Sequence, residues 1–135
     1  MTDALYQQLI VEHAKHPHHA GTLAAATHSA TLDNPMCGDV VSVGLVVVRD
    51  TIADVAHAGH GCALSIAAAS MLADRLAGAT LAEARRIVRA FEAFVVGERC
   101  EIDLAELRAF AGVRDARSRR TCATLAARAI ARALG

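Results

Sequence analysis

The sequence predicts an α+β fold with helices packed on one face of a small sheet. After one opening helix come three extended segments, and helical segments fill the rest of the chain. The β-branched run at residues 40–49 (VVSVGLVVVR) is the clearest strand, and the Thr80/Glu83 pair is the clearest helix start.

Taken in order, Thr2 can cap a first helix to about Lys15, with Tyr6, Leu9, Ile10 and His13 on one stripe. Pro17 stops it, and residues 16–22 read as a turn-rich loop. A short extended piece at 28–33 is followed by Asn34-Pro35 as a break. Residues 40–49 and 52–58 (IADVAHA) form a hairpin across a tight turn at Asp50-Thr51. Gly59-His60-Gly61 ends the second strand, and a helix at 62–76 is closed by Gly78. Thr80 caps the next helix, to about Val96. A connector at 97–103 leads to a short helix at 104–110, ended by Gly112, and to a last helix at 114–134. No repeat or linker interrupts the chain, so 1–135 reads as one domain.

Composition narrows the function. Apolar residues make up 54% of 135 residues, and 31 are alanine against four aromatics. The core must be Ala, Leu, Val and Ile, with small side chains letting helices approach closely. Fourteen basic residues balance fourteen acidic ones, so neither nucleic acid nor an anionic membrane is an expected partner. Residues 114–135 carry six arginines against Asp115 alone, the one local basic surface. No stretch of about 18 apolar residues suggests a membrane span. The first residues show no signal-peptide pattern, so a cytoplasmic location is expected, where four thiols suggest metal or catalysis before disulfides. The single lysine, Lys15, makes a pyridoxal phosphate Schiff base unexpected, and no phosphate-binding glycine motif is present.

Cys37 lies in the loop Asn34-Pro-Met-Cys-Gly-Asp39, where a C-x-D pair can turn both side chains toward one centre. The alternative is a small apolar residue beside a turn aspartate. Cys62 opens a helix, where unpaired N–H groups favour thiolate; a cap-proximal apolar residue is the alternative. Cys122 follows Arg119 and Arg120, whose charge also favours thiolate, although a helical cysteine in this setting is commonly core. Three thiols and one carboxylate make a plausible tetrahedral zinc set. Cys100, flanked by acids, reads as incidental. His16, His18 and His19 around Pro17 read as a solvated loop rather than a metal tract, and His60 of the His57/His60 pair as a minor substitute ligand.

Three segments together carry a resemblance: Asn34-Pro-Met-Cys37-Gly-Asp39, Gly59-His-Gly-Cys62-Ala-Leu-Ser-Ile-Ala-Ala-Ala-Ser70 and Arg119-Arg-Thr-Cys122-Ala-Thr-Leu. They resemble the U-type iron–sulfur cluster assembly family of IscU, SufU and the NifU N-terminal domain. Tyr6, His13, Pro17 and Gly21 resemble that family's opening helix and turn. The 60-residue spacing from Cys62 to Cys122, Thr121 where IscU-type proteins carry histidine, and Arg119 resemble the SufU branch. The resemblance implies a three-stranded antiparallel sheet packed against four to five helices. It implies zinc ligands at Cys37, Asp39, Cys62 and Cys122, with Cys37 also the sulfur acceptor. The implied activity is zinc-dependent sulfur transfer, accepting persulfide sulfur from a PLP-dependent cysteine desulfurase of the SufS kind and passing it to a downstream cluster scaffold. The alternative it leaves is a scaffold on which iron and a transient [2Fe–2S] cluster occupy the same residues.

Overall fold

A computed structural model describes residues 3–100 and 102–135. The order is α1 (Asp3–Lys15), β1 (His28–Asn34), β2 (Asp39–Val48), β3 (Thr51–His60), α2 (Ala63–Leu76), α3 (Leu81–Val95), a 3₁₀ helix (Ala105–Val113) and α4 (Arg117–Leu134). The sheet is antiparallel in the order β1-β2-β3. This is the expected α+β architecture, with five helical segments among the described residues, of which α2 and α4 make the main contacts with the sheet. The proposed cap at Thr2 lies outside the described residues.

β2 is the central strand, and its alternation shows why. Val41, Val43 and Leu45 are buried on the helical side, while the intervening residues are only half-buried. α4 packs across β1 and β2, α2 packs by β3, and both contact each other. Alanine is frequent among the buried positions of both helices: Ala67, Ala68, Ala69 and Ala73 on α2 and Ala123, Ala126, Ala127 and Ala129 on α4. Phe91 and Phe110 meet edge to face at 5.4 Å and fill the space that small side chains leave beside α3.

Three boundaries differ from the sequence reading. The β2–β3 turn is Arg49-Asp50, one residue earlier than expected, because both residues adopt positive φ (52° and 62°), as the tight hairpin turn requires. A register shift between Val46 and Val47 accommodates it. The segment expected as a short helix is a longer 3₁₀ helix, and α4 begins at Arg117 rather than Arg114. The α3 start is as expected: Thr80 accepts from the Glu83 N–H at 3.1 Å, and Glu83 Oε1 accepts from the Thr80 N–H at 3.2 Å.

The outer edge of β3 is covered by two loops. Gly21 N donates to His57 O at 2.8 Å and His57 N donates to His19 O at 3.1 Å, while Ile52 and Gly78–Ala79 pair further along. This leaves little exposed strand edge. It also fixes the 16–22 loop against the sheet.

Candidate functional site

Cys37 rides on the four-residue loop between β1 and β2. Asn34 shapes that loop: its carbonyl accepts from Cys37 N and Gly38 N, and its side-chain oxygen accepts from Met36 N at 3.2 Å. Gly38 completes the turn at φ +76°, and Met36 stands 92% exposed at the tip. Asp39 then starts β2 with its carboxylate buried beneath the loop.

The Gly59-His60-Gly61 run brings Cys62 onto that carboxylate. At Gly59, φ is +129° and an added Cβ would lie 2.1 Å from Val40 O, so the chain can pass only without a side chain. At Gly61 an added Cβ would meet Asp39 Cγ at 2.9 Å. With both glycines in place, the Cys62 N–H donates to Asp39 Oδ1 at 3.1 Å and the Cys62 thiol lies 3.5 Å from Oδ2. Asp39 thus faces the open N-terminus of α2, whose cap residue Cys62 makes no side-chain capping bond to the helix backbone. Ser65, one turn into α2, donates to Asp39 Oδ2 at 2.7 Å and sits 3.1 Å from Cys122 O. It ties three segments together.

Cys122 comes from the first turns of α4, buried, with its Sγ 3.6 Å from Cys37 Sγ. Donor atoms of Cys37, Asp39 and Cys122 all lie within 4.8 Å of one another, and Cys62 adjoins them through Asp39. The structure therefore brings all four sequence-selected residues to one place. The donor set fits zinc. A tetrahedral site with Zn–S bonds near 2.3 Å and Zn–O near 2.0 Å has S···S edges of about 3.8 Å and S···O edges of about 3.5 Å. The observed 3.6 Å and 3.5 Å are close to those edges.

Burial pushes the Asp39 carboxyl up, but the bonds from Ser65, Cys37, Cys122 and Cys62 outweigh it and hold it down at about 2. Cys122 goes the opposite way from the sequence expectation. Burial, then the crowding of Cys37, Cys62 and Asp39, pushes its thiol well up. The adjacent arginines give no relief: Arg120 reaches back to Arg114 O, and Arg119 is exposed. A divalent ion would have to displace that proton, which makes ion binding release protons.

Other sequence candidates are placed elsewhere. Cys100 donates to Ile102 O at 3.1 Å and is outside the group. His57 is buried and donates through Nε2 to His18 O at 2.8 Å, whereas His60 is exposed. The 16–19 loop is more ordered in its bonding than a solvated loop: the His18 and His19 rings both reach Asp74. The basic surface is partly committed as well, since Arg114 donates to Phe94 O and lies 4.2 Å over the Phe94 ring. Ser65 was missed from the sequence; its signal is only its place three residues after Cys62.

The fold carries a group of thiols and a carboxylate of the kind that can hold a metal ion, and comparison with known proteins gives the family. The model of the NifU-like N-terminal domain matches residues 5–135. The chain belongs to this family, whose relatives here are iron–sulfur cluster assembly proteins. The scaffold protein IscU of Streptococcus pyogenes serotype M1 is 36% identical over 132 residues, covering 96% of this chain and 82% of the relative. The zinc-dependent sulfurtransferase SufU of Bacillus subtilis (strain 168) is 32% identical over 130 residues, covering 95% and 88%. A candidate SUF-system scaffold structure from Fervidobacterium islandicum AW-1 superposes with a TM-score of 0.89 at 25% identity over 100% of both chains. The N-terminal NifU-like structure from Brucella abortus gives 0.87 at 29% identity, over 98% of this chain and 93% of that one.

Proposed function

We propose that this chain is a zinc-dependent sulfur carrier for iron–sulfur cluster assembly. In this reading Cys37 accepts sulfane sulfur from a PLP-dependent cysteine desulfurase of the SufS kind and passes it to a downstream scaffold. The observation that carries it is the contrast among the thiols. Cys37 stands exposed on a hairpin loop, beside buried Cys122 and a buried carboxylate. Cys62 is exposed too, but its backbone and thiol are held by Asp39 and Ser65.

Zinc held by Cys37, Asp39, Cys62 and Cys122 would keep the sulfurs deprotonated at neutral pH. The remaining steps belong to the chain. The loop from Asn34 to Asp39 leaves Cys37 exposed beside the exposed Met36, so a partner's active site can reach it. The Cys37 thiolate attacks the terminal sulfur of the donor persulfide. A new S–S bond forms, the donor S–S bond breaks, and the donor cysteine leaves as thiolate. Cys37 then carries the persulfide, and no outside oxidant or reductant is consumed. Asp39 keeps the loop base anchored to α2 while Cys37 moves.

The experiment is a single turnover with desulfurase and cysteine, trapping with an alkylating reagent, and peptide mass spectrometry. The persulfide is expected on Cys37. A persulfide on Cys62, Cys122 or Cys100, with Cys37 unmodified, overturns the assignment. The 36% identity to an IscU scaffold favours a second reading, in which the same residues hold a nascent [2Fe–2S] cluster. A colourless zinc-loaded protein supports transfer; a brown one with sulfide-to-iron charge-transfer bands supports scaffolding.

A further inference from the structure

A second group of metal-type donors sits at the junction of α1, the 16–22 loop and α2. Asp74 is twelve residues past Cys62, about 18 Å along the helix direction at 1.5 Å per residue. Here α1 supplies His13, the loop supplies His18 and His19, and α2 supplies Ser70 and Asp74. One donor atom each from His13, His18 and Asp74 lies within 4.8 Å of the other two.

His13 and Asp74 are each held by a side chain outside the three, and His18 is held through its backbone. His13 Nδ1 is 2.6 Å from Ser70 Oγ, and the same oxygen accepts from His18 N at 2.7 Å. His18 Nδ1 is 2.6 Å from Asp74 Oδ2, and His19 Nε2 is 3.1 Å from Oδ1. The His13 and His18 rings are 4.6 Å apart, tilted by 55°. The loop is held from its far side by His57, which donates to His18 O and to His19 O. His19 is kept at φ +62°, a conformation that costs a non-glycine residue of order 1 kcal/mol.

A His–Asp hydrogen bond alone needs none of this apparatus. Two imidazoles and a carboxylate converge from separate segments, with Ser70 behind His13, His19 behind Asp74 and the His18 backbone held by Ser70 and His57; this is the kind of donor set and outer support that zinc-type sites use. Such a nitrogen and oxygen set suits zinc, nickel or copper rather than calcium or magnesium. His13 is buried, whereas His18 and Asp74 are exposed, so the centre of the group opens to solvent and an ion can enter. We propose that His13, His18 and Asp74 form a second site for a divalent transition metal of the zinc type, distinct from the thiol group.

The test uses the full chain with zinc alone, counted by native mass spectrometry. Wild type is expected to hold two zinc ions, and His18→Gln and Asp74→Asn one each. Affinity for the second ion should fall at least about tenfold in each variant, since even an outer-shell change typically costs that much. Both substitutions are at exposed side chains, and in His18→Gln the new amide can still donate to Asp74, so the melting curve checks that the fold is kept. Cobalt identifies the donors: the ion lost in the variants contributes ligand-field bands without thiolate-to-cobalt charge transfer. A second zinc retained equally by both variants overturns the proposal, as does a wild type whose only zinc survives both substitutions. If wild type holds a single ion that both variants lose, and its cobalt form shows no thiolate band, the histidine site stands and the zinc reading of the thiol group falls.

Discussion

Asp39 is the residue on which the thiol site turns. It lies beneath the Cys37 loop, accepts from the start of α2, and is linked through Ser65 to the Cys122 carbonyl on α4. Ser65 is therefore more than helix filler. Ser65→Ala removes the shortest bond to the Asp39 carboxylate and leaves a buried polar group short of a partner, a loss of about 1–3 kcal/mol. If Asp39 also holds zinc, zinc affinity should fall about 10–100-fold, as for other outer-shell losses. Thermal melting and competition with a chelator measure the two effects, and an unchanged affinity would reduce Ser65 to a packing role. A second comparison separates the thiols. Cys37→Ser is expected to keep most of the fold, because the loop is shaped by Asn34 and Gly38, yet to abolish sulfur acceptance from the desulfurase. Cys100 donates to the Ile102 carbonyl and lies outside the thiol group, so Cys100→Ser should leave both zinc content and transfer unchanged. Loss of zinc in Cys100→Ser would mean the ligands are misassigned. Cysteines and an aspartate in turn and cap settings were legible in the sequence because their chemistry is unusual there. Ser65 was not, because a helical serine is ordinary until its partner is known. The Asp74 contacts were hidden for a related reason: they join residues 55 and 56 positions apart.

At the scale of elements, local signals succeeded where a cap or a strand pattern is self-contained. The β-branched run of β2 and the Thr80/Glu83 box needed no distant partner to be read. Boundaries failed where backbone geometry decided. The Arg49-Asp50 turn takes positive φ at two residues that carry no glycine signal, and the 3₁₀ segment before α4 displaced that helix start. The capping box gives a pH prediction with a definite sign. The backbone N–H and side chain of Thr80 hold the Glu83 carboxyl below its usual 4.5. A carboxyl lowered on folding contributes stability that is present above its unfolded value and is lost as pH falls through the folded one. Glu83→Gln keeps an acceptor for Thr80 N but removes the charge at the helix N-terminus. The melting temperature of wild type should therefore exceed that of Glu83→Gln above about pH 4.5, and the gap should close as pH is lowered further. A gap that is constant from pH 7 to pH 2 would show that the charge contributes nothing.

Across the whole molecule, the alanine-rich composition and the thiol site meet at the contact of α2 with α4. Small side chains let these helices approach, and that approach sets Cys122 beside Ser65 and Cys37. The fold is therefore already organised by an apolar core that includes fully buried Phe91, Phe110, Leu45 and Ile52. Metal binding should add to this stability rather than create the fold, unlike a zinc finger. The addition has a specific route. An ion shared by Cys37 and Cys122 would join positions 85 residues apart, linking the β1–β2 loop to α4 while Cys62 brings in the start of α2. At free zinc about 100 times the dissociation constant, linkage contributes roughly 2.7 kcal/mol. For a chain of this length each kcal/mol moves the midpoint by about 3 °C, so removing zinc should lower it by roughly 8 °C. The chelated protein should stay folded at 25 °C with unchanged far-ultraviolet circular dichroism. The part of the shift that comes from the thiol group should be absent in Cys62→Ser, where that group has already lost a donor. An unchanged melting curve after verified removal of the metal would exclude any such brace. Unfolding at 25 °C on chelation would mean that the apolar core is weaker than its burial implies.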